Sequence, residues 1–478
     1  MTDTAIRTET APLSRPVGNP LERLAAFSAD LPASSVPDDV FTAAERGVVD
    51  LLGVAVAGAV QPDMAALNRY VSQTYREGKA TALGLPSRMA PEAAAYLNGA
   101  AGHVLDFDDC NDALGGHPTV PVLPSVLALA EETGASARDV LTAYVVGVEV
   151  EGAIGRCLNL THYERGWHPT ATLGIFGAAS ASARILGADA EQVERALAIA
   201  ASMASGIKGN FGTFMKPGQV GFAAAKGVAA ARLALAGATA NTDVFRGQHS
   251  FPGVFNGTPD IDWSPLEQLG TLWNILSPGL VFKLYPCCGS THAAIDAVLE
   301  LHRDGAIDAE SIKTIDIYLH PRRQPHTNRP DPRTGLAGKF SVQYVTAAAA
   351  LRGAVTVADF AEEQVNADVI RKILPHVQVH DLAPDEQIIV PGRLDCFAAA
   401  VEVVDRGGKH RRLVPAPKGS DPSVPVSDRD LDQKFVATAG IAVGSSPAEE
   451  ALRRLHMWAG GNGSLRDVMG YVHEHMPR

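Results

Sequence analysis

The chain has 478 residues, too many for one hydrophobic core, because single cores stop growing at roughly 250–300 residues. Hydrophobic residues make up 46% and charged residues 20%, which excludes the disordered and fibrous classes. A formal net charge of −12 at pH 7 argues against a broad surface for nucleic acid or anionic membrane, because such partners need clustered Lys and Arg. A small anionic substrate fits this composition if the basic groups gather in one pocket.

The N-terminal segment, residues 1–19, is polar and lacks the apolar stretch of a secretory signal, so we expect a disordered leader. The longest apolar stretch, VVDLLGVAVAGAV from Val48, is shorter than the roughly 20 residues that span a membrane. The cysteines form no CxxC pair, and the lack of a secretory signal favours a reducing compartment, so we expect neither disulfides nor iron–sulfur ligation. We therefore expect a cytoplasmic protein with no membrane partner.

Residues 20–275 are predicted to form one large helical domain, because apolar residues recur at intervals of three and four. In residues 276–420, IKTIDIYLHP alternates like a strand, and LDCFAAAVEVVDRGGKHRRLVPAP has the pattern of a hairpin that turns at residues 406–408. Helical periodicity returns in residues 421–478, which we expect to rejoin the first domain. The predicted fold class is mainly α, with a large all-helical domain and a smaller α/β domain.

Four basic residues stand at predicted helix starts. His117 and His168 each begin a His-Pro-Thr tripeptide before an apolar helical run, and Lys216 precedes a proline in the same way. Lys283 lies shortly before a further helix, in KLYPCC. Free backbone N–H groups at a helix start bind anions, and adjacent His or Lys strengthens the site. The pattern predicts a polycarboxylate or phosphate ligand.

The stretch HVLDFDDCNDALGGHPT supplies acidic partners for these cations. If residues 93–109 are helical, His103 and Asp106 lie on one face, and a carboxylate beside a histidine orients and tunes a base. Asp108, Asp109 and Asp112 are then expected to cap and solvate the chain. The sequence lacks a zinc signature, a phosphate-binding glycine loop and a GxSxG elbow, whereas a magnesium site stays open.

Several blocks of the sequence resemble the MmgE/PrpD family over nearly the whole chain. They include VVDLLGVAVAG, NGAAGHVLDFDD, GGHPTVPVLPSVLALAE, MKPGQVGFAAAKG, KLYPCCGSTHAAIDA and FSVQYVTAAAALRG, in this order. The resemblance implies an α/β lid domain, a homodimer and an active site in the cleft between domains. The family's active-site positions fall on the five residues Asp106, His117, His168, Lys216 and Lys283.

Members of that family include 2-methylcitrate dehydratase, cis-aconitate decarboxylase and iminodisuccinate epimerase, which act on small di- and tricarboxylates without iron–sulfur clusters. The resemblance implies a lyase that needs neither metal nor other cofactor. We expect His117, Lys216 and Lys283 to bind substrate carboxylates, while His168, or Asp106 through a histidine, transfers the proton. A catalytically silent carboxylate-binding protein is the alternative from another class.

The chain departs from the decarboxylase pattern of that family at two positions. Cys110 stands where the pattern has Thr, and His326 stands where it has Tyr. Together with His103, these two residues are predicted to contact substrate. The departures favour dehydration of a 2-methylcitrate-like hydroxy acid over decarboxylation of cis-aconitate or epimerisation of iminodisuccinate.

Overall fold

The computed structural model describes residues 18–423 and 425–477. Apart from Gly18 and Asn19, the predicted leader lies outside the described residues. The side chain of Asn19 accepts a hydrogen bond from the Leu21 N–H at 3.0 Å and so caps the first helix. The prediction of a mainly α protein is confirmed.

The first helical region precedes residue 256. Its helices are α1 (Pro20–Asp30), α2 (Asp38–Ala59), α3 (Ala65–Thr74), α4 (Pro91–Val104), α5 (Thr119–Thr133), α6 (Ala137–Leu158), α7 (Thr161–Glu164), α8 (Pro169–Thr172), α9 (Gly174–Ile185), α10 (Ala190–Met203), α11 (Met215–Leu235) and α12 (Phe251–Phe255). A short strand, β1 (Glu77–Ala80), lies between α3 and α4. Within the described residues, no helix is both long enough and apolar enough to cross a bilayer.

Close contact between α4 and α11 depends on small residues. A Cβ atom added to Gly221 on α11 would lie 2.3 Å from the carbonyl oxygen of Tyr96 on α4, so only glycine allows the two backbones to approach this closely. The two helices run in opposite directions, because Gly99 also contacts Gly221 while Asp106, beyond the end of α4, lies beside Lys216 at the start of α11. The packing thereby brings an acid and a base together.

A mixed α/β region follows the helices. Its elements are α13 (His292–Arg303), β2 (Thr314–Leu319), α14 (Gln324–Thr327), α15 (Gly335–Gly338), α16 (Val342–Arg352), α17 (Glu362–Val365), α18 (Asp368–Ile373), β3 (Val377–Asp381), β4 (Ala399–Val404) and β5 (Lys409–Val414). The strand order is β3-β2-β4-β5, with β2 and β3 parallel and the other pairs antiparallel. The predicted strand and the predicted hairpin are both present, and residues 405–408 connect β4 to β5. Alternate side chains of β2 and β4 join α13 and α16 in a second hydrophobic core.

Three final helices pack against the first region: α19 (Asp428–Val443), α20 (Ser445–Ala459) and α21 (Leu465–His475). Leu431 and Phe435 of α19 enter the same core as Val48 and Leu52 of α2. The end of the chain therefore covers the helix that the apolar stretch from Val48 forms.

Candidate active site

A cavity of about 660 Å³ lies between the helical region and the residues that follow it. Its lining includes, from the helical region, Asp106, Cys110, His117, Arg156, His168 and Lys216. The residues beyond position 280 contribute Lys283, Ser290, Arg323, His326, Phe340 and Phe397. Of the eight predicted site residues, all but His103 line this one cavity.

Asp106 lies just beyond the end of α4, in a turn that gives it a φ of 51°. Its Oδ1 accepts hydrogen bonds from Nζ of Lys216 at 2.6 Å and from Nζ of Lys283 at 3.0 Å, and its Oδ2 is buried without a partner among the described residues. Burial disfavours the charged carboxylate, but the two ammonium groups outweigh burial and hold the pKa of Asp106 well below its usual value. The carboxylate is therefore ionised and has one oxygen available.

The predicted pairing of His103 with Asp106 is wrong. Helix α4 ends at Val104, so the residues that follow do not keep helical spacing, and Asp108 meets His103 instead, 2.8 Å from its Nδ1. Burial lowers the pKa of His103 to about 3 despite the nearby carboxylate. The neutral ring thus donates its Nδ1–H to Asp108, and its buried Nε2 has no partner among the described residues. His103 lies behind the cavity and supports Asp108.

The expectation that Asp108, Asp109 and Asp112 only cap and solvate the chain is also wrong. The carboxylate of Asp109 is buried and accepts a hydrogen bond from Oγ1 of Thr119 at 2.5 Å. Burial raises the pKa of Asp109 well above its usual value. Asp112 forms an ion pair with Arg393 at 2.5 Å and so ties the loop after α4 to the α/β region.

His117 lies immediately before α5, where the two His-Pro-Thr tripeptides meet. Its backbone N–H donates to Oγ1 of Thr170, and a Cβ atom on Gly116 would lie only 2.6 Å from that oxygen. Its Nδ1 lies 3.1 Å from Asp108, and its Nε2 lies 3.7 Å from Oδ1 of Asp106. Burial opposes protonation, but the Asp108 carboxylate outweighs it and raises the pKa of His117 to about 9. His117 is therefore a cation at neutral pH.

The thiol of Cys110 lies 3.8 Å from Nδ1 of His117, on the cavity wall. Burial works against ionisation of the thiol, but the neighbouring imidazolium prevails and lowers the pKa of Cys110. Backbone hydrogen bonds to Val281 at 2.9 and 2.8 Å hold Cys110 in place. Cys110, one of the two residues that depart from the decarboxylase pattern, thus lies beside the imidazolium of His117.

His168, at the start of α8, has a defined tautomer. Oε1 of Gln219 accepts the N–H of Ile207 at 3.1 Å, so the amide nitrogen of Gln219 is the atom that lies 2.8 Å from Nδ1 of His168 and donates to it. Burial and the ammonium of Lys216 hold the pKa of His168 well below its usual value. The ring is neutral, and its proton lies on Nε2.

His326, from α14, also lines the cavity. Its Nε2 lies 3.1 Å from Oγ of Ser290 and 3.5 Å from the hydroxyl of Tyr163, while its Nδ1 is buried without a partner among the described residues. Burial and the guanidinium of Arg323 lower the pKa of His326 to about 3. The imidazole is therefore neutral and keeps one nitrogen free for a bound molecule.

Comparison with known proteins identifies the family. The model for the MmgE/PrpD N-terminal domain matches residues 22–264, and that for the MmgE/PrpD C-terminal domain matches residues 285–458. The chain belongs to the MmgE/PrpD family. The resemblance inferred from the sequence blocks is confirmed, and lyase chemistry is supported at the level of the family.

Relatives of this MmgE/PrpD protein include cis-aconitate decarboxylase of Homo sapiens, which is 30% identical over 86% of this chain and 85% of its own length. Cis-aconitate decarboxylase-like protein oryM of Aspergillus oryzae is 29% identical over 92% of this chain and 94% of its own length. Cis-aconitate decarboxylase of Aspergillus terreus is 28% identical over 73% of this chain and 76% of its own length.

Two side chains of this MmgE/PrpD site escaped the sequence analysis. Asp108 is assigned only a capping role from the sequence, because the sequence does not show where α4 ends. Gln219 belongs to no motif that marks it as a partner of His168. A Gly-Gly turn and a polar cluster, DFDDCND, mark the position where a helix ends, and they were the available signal for Asp108.

Two histidines and two aspartates at the site together have the composition of a metal site. Ligand atoms of His103, Asp106, Asp108 and His117 all lie within 4.8 Å of one another. However, Oδ1 of Asp106 already accepts hydrogen bonds from the ammonium groups of Lys216 and Lys283. These two positive charges repel a divalent cation and already neutralise the carboxylate that would bind it. The charges present therefore make this cluster a poor metal site.

Proposed function

We propose that this protein is a metal-independent lyase that acts on a small di- or tricarboxylate and stabilises a carbanion formed next to a substrate carboxylate. One observation carries the proposal. The carboxylate of Asp106, bound by Lys216 and Lys283, shares one cavity with the imidazolium of His117 and the Nε2–H of His168.

The floor of the cavity is suited to an anionic ligand. Lys216, Lys283 and His117 contribute three positive charges against the two carboxylates of Asp106 and Asp108, so one net positive charge remains at the buried end. Arg156 and Arg323 lie in the walls. Because charges interact more strongly when water is excluded, a polycarboxylate gains most by binding at this floor.

The same groups are suited to the chemistry of a carbanion. Negative charge that develops beside a carboxylate is stabilised by fixed N–H donors, and His168 and Lys216 are such donors. His117 is protonated up to a pH of about 9 and can transfer a proton to carbon or to a leaving hydroxyl. We infer that His168 acts as a hydrogen-bond donor and not as the base.

Loss of water from a 2-methylcitrate-like hydroxy acid is one candidate outcome. A base removes a proton next to a carboxylate, the electron pair forms the double bond, and the hydroxyl leaves as water after protonation. Oδ2 of Asp106 is the unpartnered acceptor for the first proton, a weak base because Lys216 and Lys283 lower the pKa of its carboxylate, and His117 is the donor for the hydroxyl. The departures at Cys110 and His326 favour this outcome.

Loss of CO₂ from a cis-aconitate-like acid is the second candidate. The C–C bond breaks, its electron pair stays on the remaining carbon, and a proton from His117 completes the product, so this route needs no base. The names of the relatives favour it, and a cavity richer in proton donors than in bases supports it.

A panel of acids tests the proposal and separates the candidates. The protein is incubated with 2-methylcitrate, citrate, cis-aconitate and iminodisuccinate, and the products are resolved for water loss, CO₂ loss and inversion. Turnover of at least one acid supports a lyase or an epimerase according to the product. Tight binding of these acids without any product would instead favour a carboxylate-binding protein.

A further inference from the structure

Three lysines converge on the backbone of the turn that carries Asp106. Nζ of Lys339 donates to the carbonyl of Leu105 at 2.9 Å, Nζ of Lys283 donates to that of Asp106 at 2.9 Å, and Nζ of Lys434 donates to that of Phe107 at 2.8 Å. We call this set of three lysines on three successive carbonyls the lysine clamp. Its members come from three separate parts of the chain.

The turn needs such partners because it follows the end of a helix. Helix α4 ends at Val104, so the carbonyls that follow have no N–H partner within the helix and lie beside the negative end of its dipole. Leu105, Asp106 and Phe107 are all buried, so water does not reach these carbonyls. An ammonium group satisfies each of them and also opposes the negative end of α4.

The conformation of the turn gives the clamp its importance for the site. Asp106 has a φ of 51°, a left-handed conformation that a residue with a side chain adopts at a cost. This conformation turns its carboxylate toward Lys216, 2.6 Å away. Without external hydrogen bonds, the turn would relax and the carboxylate would move away from its partners.

Lys339 and Lys434 are placed to hold the turn and not to touch a ligand. Lys339 also donates to the carbonyl of Pro286 at 2.8 Å, which links the turn to the segment that carries Lys283. Lys434, on α19, also forms an ion pair with Asp50 of α2 at 2.6 Å. Neither lysine lines the cavity.

We propose that Lys339 and Lys434 are positioning residues that hold the Asp106 carboxylate against Lys216 and His117, so that the α/β region and the C-terminal helices both shape the site. The proposal rests on the proposed function in one respect, because it takes Asp106 to be required for turnover. A positioning role predicts a loss of kcat with little change in KM, since the groups that bind substrate remain.

The variants Lys339→Met and Lys434→Met test this role with the acid that the panel identifies. We expect each to lower kcat roughly 10-fold to 100-fold, because small displacements of catalytic groups cost rates of this order, with KM within about threefold. Val345→Ala and Leu431→Ala are the matched controls, since each shortens a buried apolar side chain that forms none of the clamp's hydrogen bonds. They lower stability, and we expect their kcat to stay within about twofold of wild type below their unfolding temperatures.

A readout that needs no substrate separates this proposal from the proposed function. In both lysine variants we expect faster amide hydrogen exchange in residues 103–110 and a pKa of His117 below about 9 in an NMR titration, because Asp108 moves with the turn. If one variant fails to fold, the other is read alone. Unchanged exchange, an unchanged His117 titration and a kcat within twofold would overturn the clamp, whereas wild-type inactivity toward every acid would overturn only the proposed function.

Discussion

The side-chain amide of Gln219 donates a hydrogen bond to Nδ1 of His168 at 2.8 Å, which fixes the proton of the imidazole on Nε2. Gln219 is itself held by both backbone groups of Ile207, so its amide has one orientation. A neutral imidazole of this tautomer donates and does not accept at Nε2. The pair therefore favours His168 as a hydrogen-bond donor to substrate over the proton-transfer role expected from the sequence.

Changing Gln219 is expected to lower turnover through His168. Gln219→Leu removes the donor, so the two tautomers of His168 become comparable in population, and kcat should fall roughly 10-fold or more while KM changes little. Nitrogen-15 NMR of the imidazole should show the wild-type proton on Nε2 and a mixture in the variant. A single Nε2–H tautomer in Gln219→Leu, with full kcat, would remove the role assigned to Gln219.

Because His117 is positively charged at neutral pH, both activity and stability are expected to fall as the pH becomes alkaline. Its pKa is raised from 6.5 to about 9, so its contribution to stability is complete below about 6.5 and is lost as the pH rises through about 9. We expect turnover to fall over the same range, because the proton donor is lost. Urea unfolding and kcat measured from pH 6 to about 10 check this expectation.

His117→Gln is the control for the alkaline transition. The variant should be inactive or nearly so, and its stability should be less dependent on pH above 7 than that of the wild type. A wild-type kcat that stays constant from pH 6 to about 10 would show that the imidazolium is not the proton donor.

The fold could be predicted from the sequence more completely than the site. Periodicity located the helices and the strand around Ile315, because regular elements repeat a local pattern. Asp108 and Gln219 could not be assigned, since their roles depend on where α4 ends and on how α8 meets α11. Gln219, Lys339 and Lys434 contact residues far away in the chain, and no local pattern encodes such contacts. Asp108 contacts His103 and His117 nearby in the chain, and its role depended only on where the helix ends.

Cys110 and His326 are the positions at which the reaction outcome should respond. The double variant Cys110→Thr, His326→Tyr restores both residues of the decarboxylase pattern, replacing a thiol beside His117 and an imidazole beside Tyr163. If these residues select water loss, we expect the variant to lose activity toward 2-methylcitrate and to gain CO₂ release from cis-aconitate by roughly 10-fold or more. Chromatography of the products from both acids makes the comparison.

The single variants show which position matters. An unchanged ratio of the two products in Cys110→Thr, in His326→Tyr and in the double variant would mean that other residues choose the bond that breaks. Cys110 and His326 would then no longer support dehydration over decarboxylation.

The most direct test of the central claim is proton exchange at carbon. The protein, first dialysed against a strong chelator, is incubated in D₂O with each acid of the panel, and deuterium next to the carboxylates is followed by NMR. We predict incorporation into at least one substrate or product with the chelated wild type, and a loss of roughly 100-fold or more in Asp106→Asn, whose amide no longer balances Lys216 and Lys283. The proposed chemistry would be contradicted if no acid took up deuterium, or if exchange occurred only before the chelator removed bound metal.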